Sequence, residues 1–327
     1  MTIYDIAKEA GVSASSVSRV VNKKPGVNTK ARERVEKLLE KYNFSPSETA
    51  RGLVNKASKL VGILVTDLRT MYYTDGAYYI QQELAALGYC CIIFNAGSGD
   101  EAKSDAIRVL EQRRVEGAVL IGSSFQTSAV ENAIRCHLSN VPVVMLNGFL
   151  DLPNVHGVLC DERDGTRSCV ELLAAKNRTR LAYVRDAITP SGLLKQKGFT
   201  DGMARLGQDA PWLYEASAAP CSGYDATRRI LREHPDVQGI LYSVDLIAAG
   251  GLRALADAGV RVPEQVAVIG INNSLYCEIC TPRLTSLDTK LLDSGVAGAR
   301  ILIDCLEGRK TTQKMMLFSS IATRETT

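Results

Sequence analysis

Along residues 2–42 apolar positions recur at helical spacing in three short runs. Ile3, Ile6, Ala7 and Ala10 share one face of a first helix, with Thr2 as N-cap, Asp5 three residues on, and Gly11 to stop it. Ser13, another good N-cap, restarts the chain two residues later, so two helices must meet through a very tight turn. On the second helix Val17, Val20 and Val21 share a buried face, whereas Ser15, Ser18, Arg19 and Asn22 lie on or toward the opposite one. A third helix from about Thr29 to Tyr42 offers Ala31, Val35, Leu38, Leu39 and Tyr42, which completes a three-helix core. Residues 45–54, SPSETARGLV, combine a capping box, Ser45 with Glu48, and Pro46 at the first helical position. A helix of two turns is marginal alone in water, so this stretch either folds against a partner or is a plain linker.

From Lys59 the period changes. Apolar runs LVGILVT (60–66), CCIIFNA (90–96), GAVLIGS (117–123), VPVVMLN (141–147) and HGVLCD (156–161) alternate with helical stretches. A second series follows, RLAYVRD (180–186), GILYSVD (239–245) and VAVIGIN (266–272), with a last strand region at IATRETT. Continuous apolar strands with intervening helices predict parallel sheets covered on both faces, and two series predict two lobes. Ligands of such sheets bind beyond the carboxyl ends of the strands. The strand-end residues Thr66, Asn95, Ser123, Asn147, Asp161, Asp186, Asp245 and Asn272 are therefore candidates for a cleft. Their neutral and anionic hydrogen-bonding groups suit a small polar, hydroxyl-bearing ligand, although Asn and Asp after a strand also serve as turn and cap residues.

Composition narrows the picture. With 327 residues, 46% hydrophobic and 23% charged, the chain is an ordinary globular protein of two or three domains. No apolar run reaches the length of a membrane span, and MTIYDIAKEAG has neither the basic start nor the apolar stretch of a signal peptide, so a cytoplasmic protein without membrane contact is expected. The nine cysteines are odd in number and scattered through apolar segments, and they read as reduced core thiols. Cys277 and Cys280 form one CxxC, but no second pair or nearby histidine accompanies it, so no metal site is expected. The three histidines, His137, His156 and His234, are far apart, and no GxxxxGK[ST], GxSxG or GxGxxG occurs. An enzyme is disfavoured, no cofactor is expected, and a transport-type binding protein would need the missing signal peptide.

The net charge of +3 conceals an asymmetry: residues 1–60 hold 12 Lys/Arg against 6 Asp/Glu, and the remainder hold 27 against 30. A basic N-terminal part with two closely joined helices reads as a helix-turn-helix DNA-binding unit. In such units the second helix enters the major groove, where small side chains permit close approach and Arg pairs bidentately with guanine. Ala14, Ser15 and Arg19 are the expected base-edge residues; the alternative is a polar surface on a small bundle. An apolar Leu53 on the short segment after it would wedge between base pairs in the minor groove.

The stretch TIYDIAKEAGVSASSVSRVVNKKPGV followed by SPSETARGL resembles the LacI/GalR (lactose-repressor) family of regulators, and the resemblance extends through DERDGTRSCVELL, SGYDATRRIL, GVRVPEQVAVIGINN and TPRLTSL. It implies a small all-α helix-turn-helix domain (1–44), a hinge helix and linker (45–58), and a two-lobed α/β periplasmic-binding-protein-like domain with parallel sheets (59–327). In that body the N-lobe spans about 59–161 and 289–320, and the C-lobe about 162–288 and 321–327. It further implies a dimer on double-stranded DNA at a palindromic operator. Ala14, Ser15 and Arg19 would face bases, and Leu53 would enter the central step, usually CpG. Tyr4, Ser13 and Asn22 would hold phosphates. The loop after the second helix carries Pro25 and Gly26 where some members have a basic residue.

In the body, the strand ends offer Asn95, Ser123, Asn147, Asp161, Asp245 and Asn272 for the effector, and the resemblance adds Tyr72, Tyr73 and Lys195. Lys195 stands for a family arginine, Val244-Asp245 for Asn-Asp, Gly270-Ile271-Asn272 for Gly-aromatic-Asp, and Asn147 for a pocket Asp. The expected effector is a small polar metabolite, a sugar or sugar derivative, including one whose carboxylate or phosphate Lys195 would neutralise. Regulation through a partner protein is the alternative. The chain ends at Thr327, before the leucine-heptad tail of tetrameric relatives, which favours a homodimer acting as a repressor.

Overall fold

Local capping sets the geometry of the N-terminal helices. A computed structural model describes residues 2–44, 58–208 and 210–327, which belong to two units, 1–58 and 59–327. In the first unit α1 (Ile3–Ala10) begins with a complete capping box, Thr2 accepting from the Asp5 amide while the Asp5 carboxylate accepts from the Thr2 amide. The Thr2 amide, joined by the Thr2 hydroxyl at 2.8 Å, holds the Asp5 carboxyl below the usual carboxylate range. Gly11 ends the helix at φ 65°, in the left-handed region. Ser13 then caps α2 (Ala14–Val21), and Asn28 caps α3 (Thr29–Lys41). Ile6, Ala7, Ala10, Val17, Val20 and Val35 form the core, with Leu38, Leu39 and Val21 packed against it. The expected segment 45–54, including Leu53, lies outside the described residues.

In the second unit β1 (Leu60–Val65), β2 (Cys90–Asn95), β3 (Gly117–Ile121), β4 (Val143–Leu146), β5 (Val155–Cys160) and β11 (Lys314–Leu317) form one parallel sheet, ordered β11-β5-β4-β3-β1-β2. A second sheet, ordered β12-β10-β9-β8-β6-β7, joins β6 (Leu181–Arg185), β7 (Trp212–Glu215), β8 (Gly239–Tyr242), β9 (Ala267–Ile271), β10 (Thr285–Asp288) and β12 (Ser320–Ala322). Only β12 runs antiparallel to its neighbour there. Helices α4 (Met71–Ala86), α5 (Asp100–Gln112), α6 (Ser128–His137) and α12 (Leu291–Leu306) accompany the first sheet. The second is accompanied by α7 (Glu162–Ala175), α8 (Pro190–Arg205), α9 (Pro220–Glu233) and α10 (Asp245–Asp257), with the single turn α11 (Tyr276–Ile279) beside α10. The chain passes between lobes after β5, after β10 and after β11, so three strands of backbone connect them. No described helix is long and apolar enough to cross a membrane.

The two-lobed parallel architecture is as expected from the apolar runs, with differences where polar residues disguise strands. In β7 and β11 exposed and covered positions alternate, because each strand lies at a sheet edge or beside one. β10, TSLD, is buried but built largely from hydroxyls. Conversely β2, expected to be covered on both faces, is an edge strand whose Ile93 is 42% exposed. The cysteines also differ from a uniform set of core thiols. Cys160, Cys169 and Cys277 are buried and burial pushes their thiols up, but Cys90, Cys136 and Cys221 are exposed.

Candidate functional sites

On the N-terminal unit, packing of the valine face leaves the other side of α2 open. Ser15 and Arg19 are exposed, and Tyr4 on α1 is 73% exposed. Arg19 lies over the following loop: a Cβ on Gly26, at φ 97°, would stand 3.4 Å from its Nη1. Arg19, Lys23 and Lys24 make no ion pair among the described residues, whereas Lys41 is bound to Glu9 and Arg32 to Glu36. Ser13 spends an acceptor on the Ser16 amide and lies 2.8 Å from the Ser15 hydroxyl. Exposed Asn22 donates to the Ser18 carbonyl. Ala14 differs from its expected base-edge neighbours, since it is half-buried and packs against the core.

In the body, a cavity of about 350 Å³ opens between the two sheets, at the carboxyl ends of their strands. Tyr72, Tyr73, Ser123, Asn147, Lys195, Asp245 and Asn272 line it, so the structure brings these seven candidates together. Tyr72 and Tyr73 meet edge to face, with centroids 5.6 Å apart. Gly122, at φ 105°, makes room for Tyr73, because a Cβ there would fall 2.9 Å from the ring.

The lobes are stitched across this cleft by polar contacts. The Ser191 amide donates to Ser123 Oγ at 3.0 Å, and Asn147 Nδ2 donates to Glu162 Oε1 at 3.0 Å. The Ser191 hydroxyl donates to the same carboxylate oxygen at 2.6 Å. Lys195 stands 3.5 Å from Glu162 Oε1 and donates to the Ser243 carbonyl at 3.3 Å. Glu162 is 1% exposed, and its Oε2 has no hydrogen-bond partner among the described residues. Tyr72, packed near this carboxylate, has its phenol pushed well up, first by burial and then by the Glu162 charge.

Asp245 opens α10 and is likewise buried. It accepts from the Ser274 amide and hydroxyl and from the Ser286 hydroxyl, at 2.7, 2.8 and 2.6 Å. Burial raises its carboxyl above the ordinary range, against the pull of those donors. Gly270 is required beside it, since a Cβ there would fall 2.2 Å from Asp245 Oδ1.

Two expected effector residues lie elsewhere. Asn95, at the exposed edge, uses Oδ1 to accept from the Leu68 amide and fixes the loop after β1. Asp161 sits at the first crossing between lobes, where its Oδ1 accepts from the Ser319 amide at the third crossing. Both are spent on backbone, the turn-and-cap role that such residues commonly take after strands. The strand-end candidates Thr66 and Asp186 also line the cavity, as do Asp67, Ser191 and Ser274, which were not among the expected residues. Ser191 was legible in principle: Thr189-Pro190-Ser191 is a helix start, with Thr189 capping α8, placed directly after β6. Glu162 had only its position one residue past a strand end as a signal.

The comparisons with known proteins agree with this architecture. Residues 2–47 match the model of bacterial regulatory proteins of the lacI family, and residues 170–327 that of a periplasmic binding protein-like domain. An HTH-type transcriptional regulator of Lachnoclostridium phytofermentans is 29% identical, over 100% of this chain and 99% of the relative. The ribose operon repressor of Halalkalibacterium halodurans is 27% identical over 100% and 97%. A lac repressor dimer solved bound to operator and the anti-inducer ONPF superposes with a TM-score of 0.90 at 26% identity, covering 100% of this chain and 98% of that one. The two domain matches in their order along the chain, together with full-length likeness to regulators, establish that the chain belongs to the lacI family of transcription regulators.

Proposed function

We propose that the chain is a repressor that binds a palindromic operator as a homodimer and is controlled by a small polar effector held in the cleft between the lobes. The observation that carries this reading is the coexistence of an exposed Ser15/Arg19 face on α2 with a cavity at the strand ends of a two-lobed body. The likeness to a lac repressor dimer bound to operator supports it. Arg19 pairs with a base, Ser15 packs close to base edges, and Tyr4, Ser13 and Asn22 contact phosphates. Ala14, being turned partly into the core, contributes only the open side of its methyl group. Leu53 enters the central step of the operator, a CpG. Effector bound across the lobes alters their closure and thereby the affinity for DNA, a coupling that is reciprocal between the two sites.

Selection of bound duplexes from random DNA tests the reading, followed by titration at several salt concentrations. A palindromic consensus with strongly salt-dependent binding is expected. Arg19→Ala is expected to lose preference at one position in each half-site, at about 1–3 kcal/mol. Binding indifferent to sequence would sink the operator assignment, and unchanged selectivity in the variant would remove Arg19 from base contact.

A further inference from the structure

We infer that the cleft selects an effector that presents a protonated amine and carries no anionic group. This rests on the effector reading above and gives that effector a chemical class. The argument is a charge inventory of the cleft. Among the described residues that line it, Lys195 is the sole cation, and its charge is already committed to buried Glu162. Of its three donors, one faces Glu162 and one the Ser243 carbonyl, which leaves one for a neutral oxygen of the ligand. A phosphate or carboxylate placed here would meet an ammonium whose charge is balanced, and the expectation that Lys195 neutralises an acidic ligand does not hold.

Three carboxylates line the same cavity. Asp67 is covered by Arg69, at 2.7 Å, which with the Arg69 amide draws its carboxyl down to about 2. Asp186 and Asp245 have no such cation among the described residues. Asp186 Oδ1 accepts from the Ser243 hydroxyl at 2.5 Å, and Asp245 is held by serine hydroxyls and an amide. Neutral donors solvate these carboxylates without cancelling their charge. Burial raises the Asp245 carboxyl, the mark of a carboxylate desolvated without a counter-ion, so the uncompensated charge in the cleft rests chiefly on Asp186. The cleft thus carries surplus negative charge, and a bound ammonium supplies what the protein omits. Asp186, half-buried and with no hydrogen-bond partner on Oδ2 among the described residues, is the seat for that ammonium, while Asp245 already accepts from three donors.

The test is a screen of the full chain, by ligand-observed NMR, against a library of small polar fragments sorted by formal charge, with glucose, glucosamine and glucuronate as a matched trio. Cationic fragments are expected to dominate the hits and anionic ones to be absent. In Asp186→Asn, binding of the cationic hits is expected to weaken at least tenfold, with the melting temperature of the unliganded protein nearly unchanged, while neutral hits hold their affinity. Hits spread evenly over charge, or richest among anions, would overturn the inference and leave the effector reading standing, as would cationic hits indifferent to Asp186→Asn. A screen without hits in any charge class would count against the effector reading itself, and the inference would fall with it.

Discussion

Lys195 and Glu162 are 6% and 1% exposed, and each is the charge that makes the other tolerable inside the protein. Removing one member of a buried pair strands its partner, which costs about 3–5 kcal/mol, whereas replacing both by neutral groups is often close to harmless. Lys195→Met is therefore expected to lower the urea midpoint markedly, and Glu162→Gln combined with Lys195→Met to recover most of that loss. A double variant no more stable than the single would show that the two charges are not coupled. Asp245 gives a second test. Its carboxyl is raised in the folded protein, so the fold holds that proton more tightly than the unfolded chain does. The resulting contribution is full below the unfolded value near 3.8 and is lost as pH rises through the raised folded value. Melting curves of the parent and Asp245→Asn across that range should show the parent's relative stability falling as pH increases. A difference independent of pH would contradict the shift.

The elements differ in how far the sequence revealed them. In α1 and α2 every determinant is local: Thr2 and Asp5 cap one end, Gly11 supplies the left-handed turn, and Ser13 restarts the helix within three residues. The central strands of both sheets were equally plain, because burial on two faces demands unbroken apolar runs. Edges were less legible: β7 and β11 alternate and gave no apolar run, while β2 gave one that suggested a strand covered on both faces. The same limit explains the split among site residues. A strand end fixes where a side chain begins, not which way it turns, and Asn95 and Asp161 turn to backbone amides while Ser123 and Asn147 face the cleft. Gly122, following β3, shows an element acting on the site without touching ligand, since its missing Cβ and positive φ let Tyr73 lie against it. Gly122→Ala is expected to push the Tyr73 ring aside, weakening effector binding at least tenfold by calorimetry while leaving operator affinity without effector intact. Undiminished effector binding would show that the ring can move without cost.

At the scale of the whole molecule, the proposed dimer needs a surface that favours a second copy. The first sheet ends on β2, an unprotected edge strand. Ile93 on β2 is 42% exposed, and Tyr78 and Leu87, on and just after the adjacent α4, are 58% and 54% exposed. An apolar edge of this kind invites association, and a charge there opposes it. Ile93→Arg is accordingly expected to shift sedimentation toward the monomer, and the consequence for DNA follows from linkage. In a dimer the second half-site is bound at high effective concentration, a gain of order 10²–10⁴ that a monomer forfeits. The variant should lose affinity by that order for the full palindrome while keeping the parent's affinity for a single half-site. Its salt dependence should flatten as well, because one DNA-binding unit displaces about half the counterions of two. A variant that sediments as a monomer yet binds the palindrome with the parent's affinity and salt slope would show that operator binding does not require the dimer.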